Sequence, residues 1–296
     1  MGSSFEIIVV EKDSTKANVY IDLAIEEISR IEKLISSWDS ASQTSEIIRN
    51  AGIKPVKVDT ELIQLIERSK RISELTDGAF DISYASMDKL WKFDGSMTEL
   101  PTETEMTNSV ARVGFENIII NKENQTVFLK NKGMKIGFGA IGKGYAADRA
   151  KELLILRGVK AGIINASVDM NTWGKQPNGD EWDIAITNPL NKNKAFAILP
   201  ISNHAVVTSG NYEKYVVFDG IRYTHIIDPR SGYPATGIIS VTVFAPKAEI
   251  ADALATSIFV MGTEVGIDRV NQLAQIECII IDNDGNIHKS QHIKIN

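Results

Sequence analysis

One cysteine, Cys278, stands in 296 residues, so an internal disulfide is excluded and cysteine usage says nothing about redox compartment. Cys278 lies in the apolar run IECIII with nothing beside it to lower a thiol pKa, and it reads as a buried strand residue rather than a nucleophile. No apolar stretch is long enough to cross a bilayer. There is no polybasic run and no charged tail, and 32 basic against 38 acidic residues leave a net charge of −6. That balance argues against nucleic acid or an anionic membrane as partner. The opening MGSSFEIIVV has neither a basic n-region nor an apolar h-region, so the expectation is a cytosolic chain or one whose targeting segment has been removed. A hydrophobic content of 43% is ample for a packed core and places the chain outside the disordered range. An anionic ligand, if there is one, must then be held by local devices: backbone amides, a lysine or a metal.

What is present begins with an amphipathic helix, in which Ala24, Ile28, Ile31 and Ile35 recur at helical spacing. A second helix is predicted from Asp59 or Thr60, with Leu62, Leu65, Ile66 and Ile72 turned inward. A Thr- and Glu-rich stretch over 98–108 reads as a surface loop. From Asn117 the texture turns to strands: NIIIN and TVFLK around a polar turn, KIGF before a glycine-rich turn, then GIIN, DIAIT and AFAILP. YVVF and IRYTHII flank Asp219-Gly220, a hairpin signal. IISVTVFA leads into helices over 249–260 and 263–274, and IECIII with IHKS closes the chain as a hairpin over DNDG. The order of helices, hairpin-linked strands, helices and strands predicts an α+β fold with antiparallel sheets, two lobes in one continuous fold spanning 1–296.

The glycine-rich turn GFGAIGKG resembles two nucleotide motifs at once. Gly137, Gly139 and Gly142 satisfy the dinucleotide G-x-G-x-x-G between a strand-like run and a helix. Gly137, Gly142 and Lys143 nearly satisfy a Walker A loop, but the next position is Gly144, where a Ser or Thr would be needed to hold Mg²⁺. The dinucleotide reading also wants a βαβ alternation and an acid at the end of the next strand, which ends in Asn165 with the first acid at Asp169. A ligand-free tight turn is the bland alternative. Lys143 weighs against it, since a lysine at a helix start is poorly placed against the dipole unless an anion is near.

A side-chain metal site has to come from elsewhere. In PKAEIADALATSIFVMG, Asp252 and Thr256 lie one helical turn apart on an otherwise apolar helix. A carboxylate there is unfavourable unless paired or coordinated, and carboxylate plus hydroxyl oxygen suits Mg²⁺. The alternative is an ordinary salt bridge for Asp252 and a helix back-bond for Thr256. His225, in RYTHIIDPRSGYPA beside a turn, is a candidate general base or phosphate contact, or simply a backbone-bonded histidine. Ser209 and Gly210 in TSGNYEKY are candidates to line the same cleft.

These pieces, together with MGSS, SSWDSASQTSEIIRNAG, TDGAFD, GAIGKGYAADRAKELL, THIIDPRSGYPA and ADALATSIFVMG, resemble the ApbE family of FAD:protein FMN transferases nearly end to end. The resemblance implies that the Ala140 carbonyl, Asp252 and Thr256 coordinate Mg²⁺, and that Lys143 contacts the flavin nucleotide with Gly137 beside it. It implies that Met1, Trp38, Ala79, Phe80, Asp81 and Ile227 line the FAD site, Trp38 as an aromatic closing over the cofactor. His225 and Asp252 are the implied catalytic residues. The implied reaction is Mg²⁺-dependent transfer of the FMN half of FAD to a threonine hydroxyl of a target protein, such as a subunit of a membrane redox complex, releasing AMP. An exported inner-membrane lipoprotein of the periplasm, with its signal segment absent from this chain, is the implied location.

Two departures stand out. Gly137 replaces an acid in the family's pattern, and the family's N-x-G-G-D reads Asn165-Ala166-Ser167-Val168-Asp169, losing both glycines. These keep open an FAD-binding or FAD-hydrolysing relative that does not modify proteins. A nucleotide-dependent oxidoreductase using the glycine turn, and a purely structural or interaction protein, are the further alternatives.

Overall fold

A computed structural model describes residues 3–167, 169–187, 189, 195–211 and 215–293. Strand β1 (Phe5–Val9) leads into α1 (Ser14–Ile35), followed by α2 (Gln43–Arg49), β2 (Val56–Lys57) and α3 (Thr60–Leu75). Next come α4 (Glu103–Val110), β3 (Ile118–Asn121), β4 (Thr126–Leu129) and α5 (Gly142–Leu156). The strand-rich middle comprises β5 (Gly162–Ala166), β6 (Asp169–Trp173), β7 (Trp182–Thr187), β8 (Ala195–Ile201), β9 (Ala205–Gly210), β10 (Tyr215–Phe218) and β11 (Ile221–Thr224). Strand β12 (Ile238–Ala245), α6 (Ala248–Met261), α7 (Thr263–Asn271), β13 (Glu277–Asp282) and β14 (Ile287–Lys289) complete the order.

Seven strands form one sheet in the order β1-β5-β6-β9-β12-β13-β14, and every neighbouring pair is antiparallel. This removes the dinucleotide-fold reading, which requires a parallel sheet at the glycine turn. The preceding KIGF run joins no sheet, and the Gly137 N–H goes to the Ile82 carbonyl at 2.8 Å.

Both faces of the central sheet are covered, which explains why β12 is buried along its whole length. Helices α1, α5 and α6 pack on one face, where Ile164, Val207, Val241 and Val243 point into the main core. The β7–β8 hairpin covers the other, placing Trp182, Ile184 and Ile186 against Ile163, Val206 and Phe244. Cys278 is fully buried, and burial pushes its thiol up to about 12, as expected of a strand residue without redox duty.

The stretch over 98–108 corrects the surface-loop expectation. Thr102 and Glu105 form a reciprocal capping box that starts α4, and Met106 is buried beneath it. Composition hid that helix, although the T-x-x-E signature was present.

Asp148 supplies a cap across elements. Helix α6 has Lys247 at its N-cap, with no side-chain cap bond of its own. Asp148 of α5 accepts from the Ala248 and Glu249 N–H groups, both at 2.9 Å, and from Asn171 Nδ2. Asp148→Ala strands these buried donors and is expected to cost about 3 kcal/mol in denaturant unfolding. Burial raises this carboxyl from 3.8 to about 6. The folded chain therefore keeps a proton that the unfolded chain gives up, so this group's contribution to stability falls as pH rises from about 4 to about 6. Asp148→Asn should flatten that part of the pH–stability curve.

Candidate active site

The main cleft has a volume of about 810 Å³, toward the upper end of the ~300–1,000 Å³ typical of ligand pockets. Four segments converge on it: 79–91, the glycine turn, the end of β9, and the 225–229 stretch after β11; Asp252 and Thr256 on α6, with Ser3, Ser4 and Ser167, complete the wall. Residues far apart in sequence thus meet here: Ala79, Phe80, Gly137, Ala140, Lys143, Ser209, Gly210, His225, Ile227, Asp252 and Thr256 all line the cleft. Met1 lies outside the described residues, while Ser3 and Ser4 lie on the wall. Trp38 is not part of the lining; it is 85% exposed, with the Lys89 ammonium of the cleft wall 5.0 Å from its ring centroid.

The glycine turn divides its labour. Gly137 and Gly139 face Tyr84, and a Cβ on Gly139 would come within 2.6 Å of the Tyr84 hydroxyl. Gly142 and Gly144 face the interior instead. A Cβ on Gly142 would meet Ile35 Cδ1 at 2.7 Å, and one on Gly144 would meet the Ala248 carbonyl oxygen at 2.2 Å. Half of the apparent phosphate motif is therefore a packing device that lets α5 approach α1 and α6.

That close approach also arranges the oxygen atoms at this wall. The Gly144 N–H donates to Asp252 Oδ2 at 3.1 Å instead of to the carbonyl four residues back, that of Ala140. Ala140, just before the first turn of α5, lines the cleft. Asp252 is 3% exposed, and burial raises its carboxyl despite the opposing Lys143 charge. Thr256 does not simply back-bond, since its hydroxyl lies 3.5 Å from Ser209 Oγ. A buried carboxylate, a hydroxyl one turn on and a backbone carbonyl are hard oxygen donors of the kind Mg²⁺ takes, so the residues fit the ion.

The anion that Lys143 required is the protein's own. Its ammonium pairs with Asp169 of β6 and lies 3.8 Å from Asp252. Burial first, then the neighbouring Asp252, raises the Asp169 carboxyl against the pull of Lys143. Asp169 carried no role in the sequence reading, because its partner is 26 residues away on another element. Tyr84 was also missed, having no polar motif around it.

Asp81 lines the cleft but is chiefly structural: its carboxylate accepts from the Ser83 N–H at 2.7 Å and the Phe115 N–H at 2.9 Å. His225 sits one residue past β11, exposed at the cleft wall. Its surroundings are held by the Asp228–Arg230 pair and by Trp91, whose indole N–H donates to the Gly232 carbonyl at 3.0 Å.

Ser167 on the cleft wall adopts φ = 68°, a left-handed conformation that costs a side-chain-bearing residue free energy. Ser167→Gly should raise stability by about 0.5–1 kcal/mol in thermal unfolding, with its backbone unchanged on the cleft wall.

The fold and site define an α+β protein whose cleft joins a buried aspartate and a threonine hydroxyl to a lysine and an exposed histidine. The ApbE family profile matches residues 1–280, and the chain belongs to the ApbE family. The FAD:protein FMN transferase of Klebsiella pneumoniae (strain 342) is 32% identical over 289 residues, which cover 97% of this chain and 88% of that protein. The FAD:protein FMN transferase of Treponema pallidum is 30% identical, covering 92% of this chain and 81% of that protein. Among solved structures, the ApbE protein of Thermotoga maritima superposes with a TM-score of 0.88 at 32% identity, covering 98% of this chain and 94% of that one. The flavin transferase ApbE of Vibrio cholerae gives 0.84 at 27% identity, covering 98% of this chain and 94% of that one.

Proposed function

We propose that this chain is an FAD:protein FMN transferase that moves the FMN half of FAD onto a threonine hydroxyl of a target protein and releases AMP. The observation that carries this reading is the convergence of Ala140, Lys143, His225, Asp252 and Thr256 on one cleft, in a chain whose relatives carry that activity by name. One main core running from Ala24 to Ile280 supports treating 1–296 as a single transferase unit.

The Ala140 carbonyl, Asp252 and Thr256 would hold Mg²⁺, which when bound supplies neutralisation of the diphosphate charge. Lys143 adds a fixed positive charge at the same wall. Phe80, Ala79 and Ile227 would offer apolar surface to the flavin nucleotide, and Trp38, stacked near Lys89 of the wall, would cover it. His225 is the base in this reading, because it alone of the candidates is exposed to an arriving protein, whereas Asp252 is buried and committed to the Gly144 N–H. His225 takes the threonine proton as its oxygen bonds the phosphorus on the FMN side. The bond to the AMP oxygen breaks, and its electron pair leaves with AMP. His225→Ala is expected to slow transfer about a hundredfold while FAD binding, followed by flavin fluorescence, is retained.

The test is to incubate the protein with FAD and Mg²⁺, first alone and then with an FMN-acceptor domain. AMP release that depends on the acceptor and matches protein-bound flavin supports transfer. AMP without protein-bound flavin would establish the hydrolase alternative, which the loss of both family glycines between Asn165 and Asp169 favours. The target we propose is a membrane redox-complex subunit, met by an exported, lipid-anchored form of this protein in the periplasm. Cell fractionation with an antibody tests that location.

A further inference from the structure

We infer that Asp169 is a positioning residue that holds the Lys143 ammonium off Asp252, keeping that carboxylate available to a divalent cation. The inference rests on the metal reading above. One ammonium lies between two buried carboxylates, paired with Asp169 and 3.8 Å from Asp252 Oδ1. The Asp169 side chain is 1% exposed and that of Asp252 4%, while Lys143 at 24% reaches the cleft. Asp169 itself does not line the cleft; it stands behind the lysine. Its place is fixed from both sides of the sheet, where β6 pairs it with Ala166 of β5 and Val207 of β9.

Charge decides what Asp169 does there. Its second oxygen, Oδ1, is buried with no hydrogen-bond partner among the described residues, so its compensation comes through the other oxygen, from Lys143. Remove the Asp169 charge, and among the described residues Asp252 is the other carboxylate with which the ammonium forms an ion pair. In so dry a place a 3.8 Å separation would close to direct contact. A Lys143–Asp252 pair would then occupy the ligand and set a positive charge against an incoming cation. With Asp169 present, the lysine is anchored one carboxylate away and its charge still serves the cleft.

The experiment uses Mn²⁺ alone as the probe, titrated into FAD-free full-length protein and followed by electron paramagnetic resonance. Asp169→Asn should weaken Mn²⁺ binding about tenfold or more, the scale of losses when a group behind a metal ligand is removed. Lys143→Met should bind at least as tightly as the parent. The double variant K143M/D169N should recover to within about threefold of the parent, because the competing ammonium is gone. A merely structural role for Asp169 predicts a double variant no better than D169N. Parental binding by D169N, or a double variant as weak as D169N, would overturn the inference. Should D169N fail to fold, K143M binding more weakly than the parent would overturn it too. Asp252→Asn separates the two layers: if the parent binds no better than D252N, the metal assignment falls and the inference with it. If D252N loses binding while D169N keeps it, only the inference falls.

Discussion

Asp252→Asn should reduce FMN transfer by about a thousandfold, equivalent to roughly 4 kcal/mol of transition-state stabilisation, without destabilising the fold. The two effects separate for an electrostatic reason. Asp252 is a buried carboxylate, raised by burial and close enough to Asp169 to push that group's pKa upward as well. Asparagine removes one of two crowded negative charges while its carbonyl oxygen can still accept the Gly144 N–H that Asp252 takes at 3.1 Å. Unfolding in denaturant should therefore give a stability equal to or above that of the parent. A residue that helped only to fold the chain would show the opposite pattern, with lost stability and retained turnover. Parental transfer rates in the variant would remove Asp252 from the site.

Gly144→Ala should be among the most damaging single methyl groups in the molecule. The added carbon would lie 2.2 Å from the Ala248 carbonyl oxygen and 2.5 Å from its carbon, both backbone atoms at the start of α6. Neither can swing aside as a side chain could, so α5 and α6 must separate. A loss of about 3 kcal/mol or more is expected, at the upper end of overpacking costs. The same movement would break the bond from the Gly144 N–H to Asp252 and pull apart the two helices that carry Lys143, Asp252 and Thr256. Thermal unfolding and Mn²⁺ binding should therefore fail together. Gly139→Ala makes a useful contrast, because its obstacle is the Tyr84 hydroxyl at 2.6 Å, the far end of a side chain.

The contrast between these glycines shows what could be read from the chain itself. Periodicity located α1 and α3, and Asp219-Gly220 located the β10–β11 hairpin, because those signals are local. Asp252 and Thr256 were legible as a pair because a carboxylate on an apolar helix is costly wherever that helix sits. The glycine turn was legible as a site but not in its workings. Nothing local distinguishes Gly139, which faces the cleft, from Gly144, which faces the Ala248 carbonyl across a helix contact. The same limit hid Asp148 as the cap of α6 and Asp169 as the partner of Lys143, since each acts on an element distant in sequence. Helix α4 is a different case: its capping box was written in the residues, but a polar composition outweighed it.

The central claim is the covalent transfer of FMN, and the most direct measurement is mass spectrometry of an acceptor domain incubated with this protein, FAD and Mg²⁺. The acceptor should be heavier by one FMN joined through a phosphoester, mapped by fragmentation to a threonine. The adduct should also require Mg²⁺ and be absent with Asp252→Asn. An unmodified acceptor alongside complete conversion of FAD to FMN and AMP would contradict the claim.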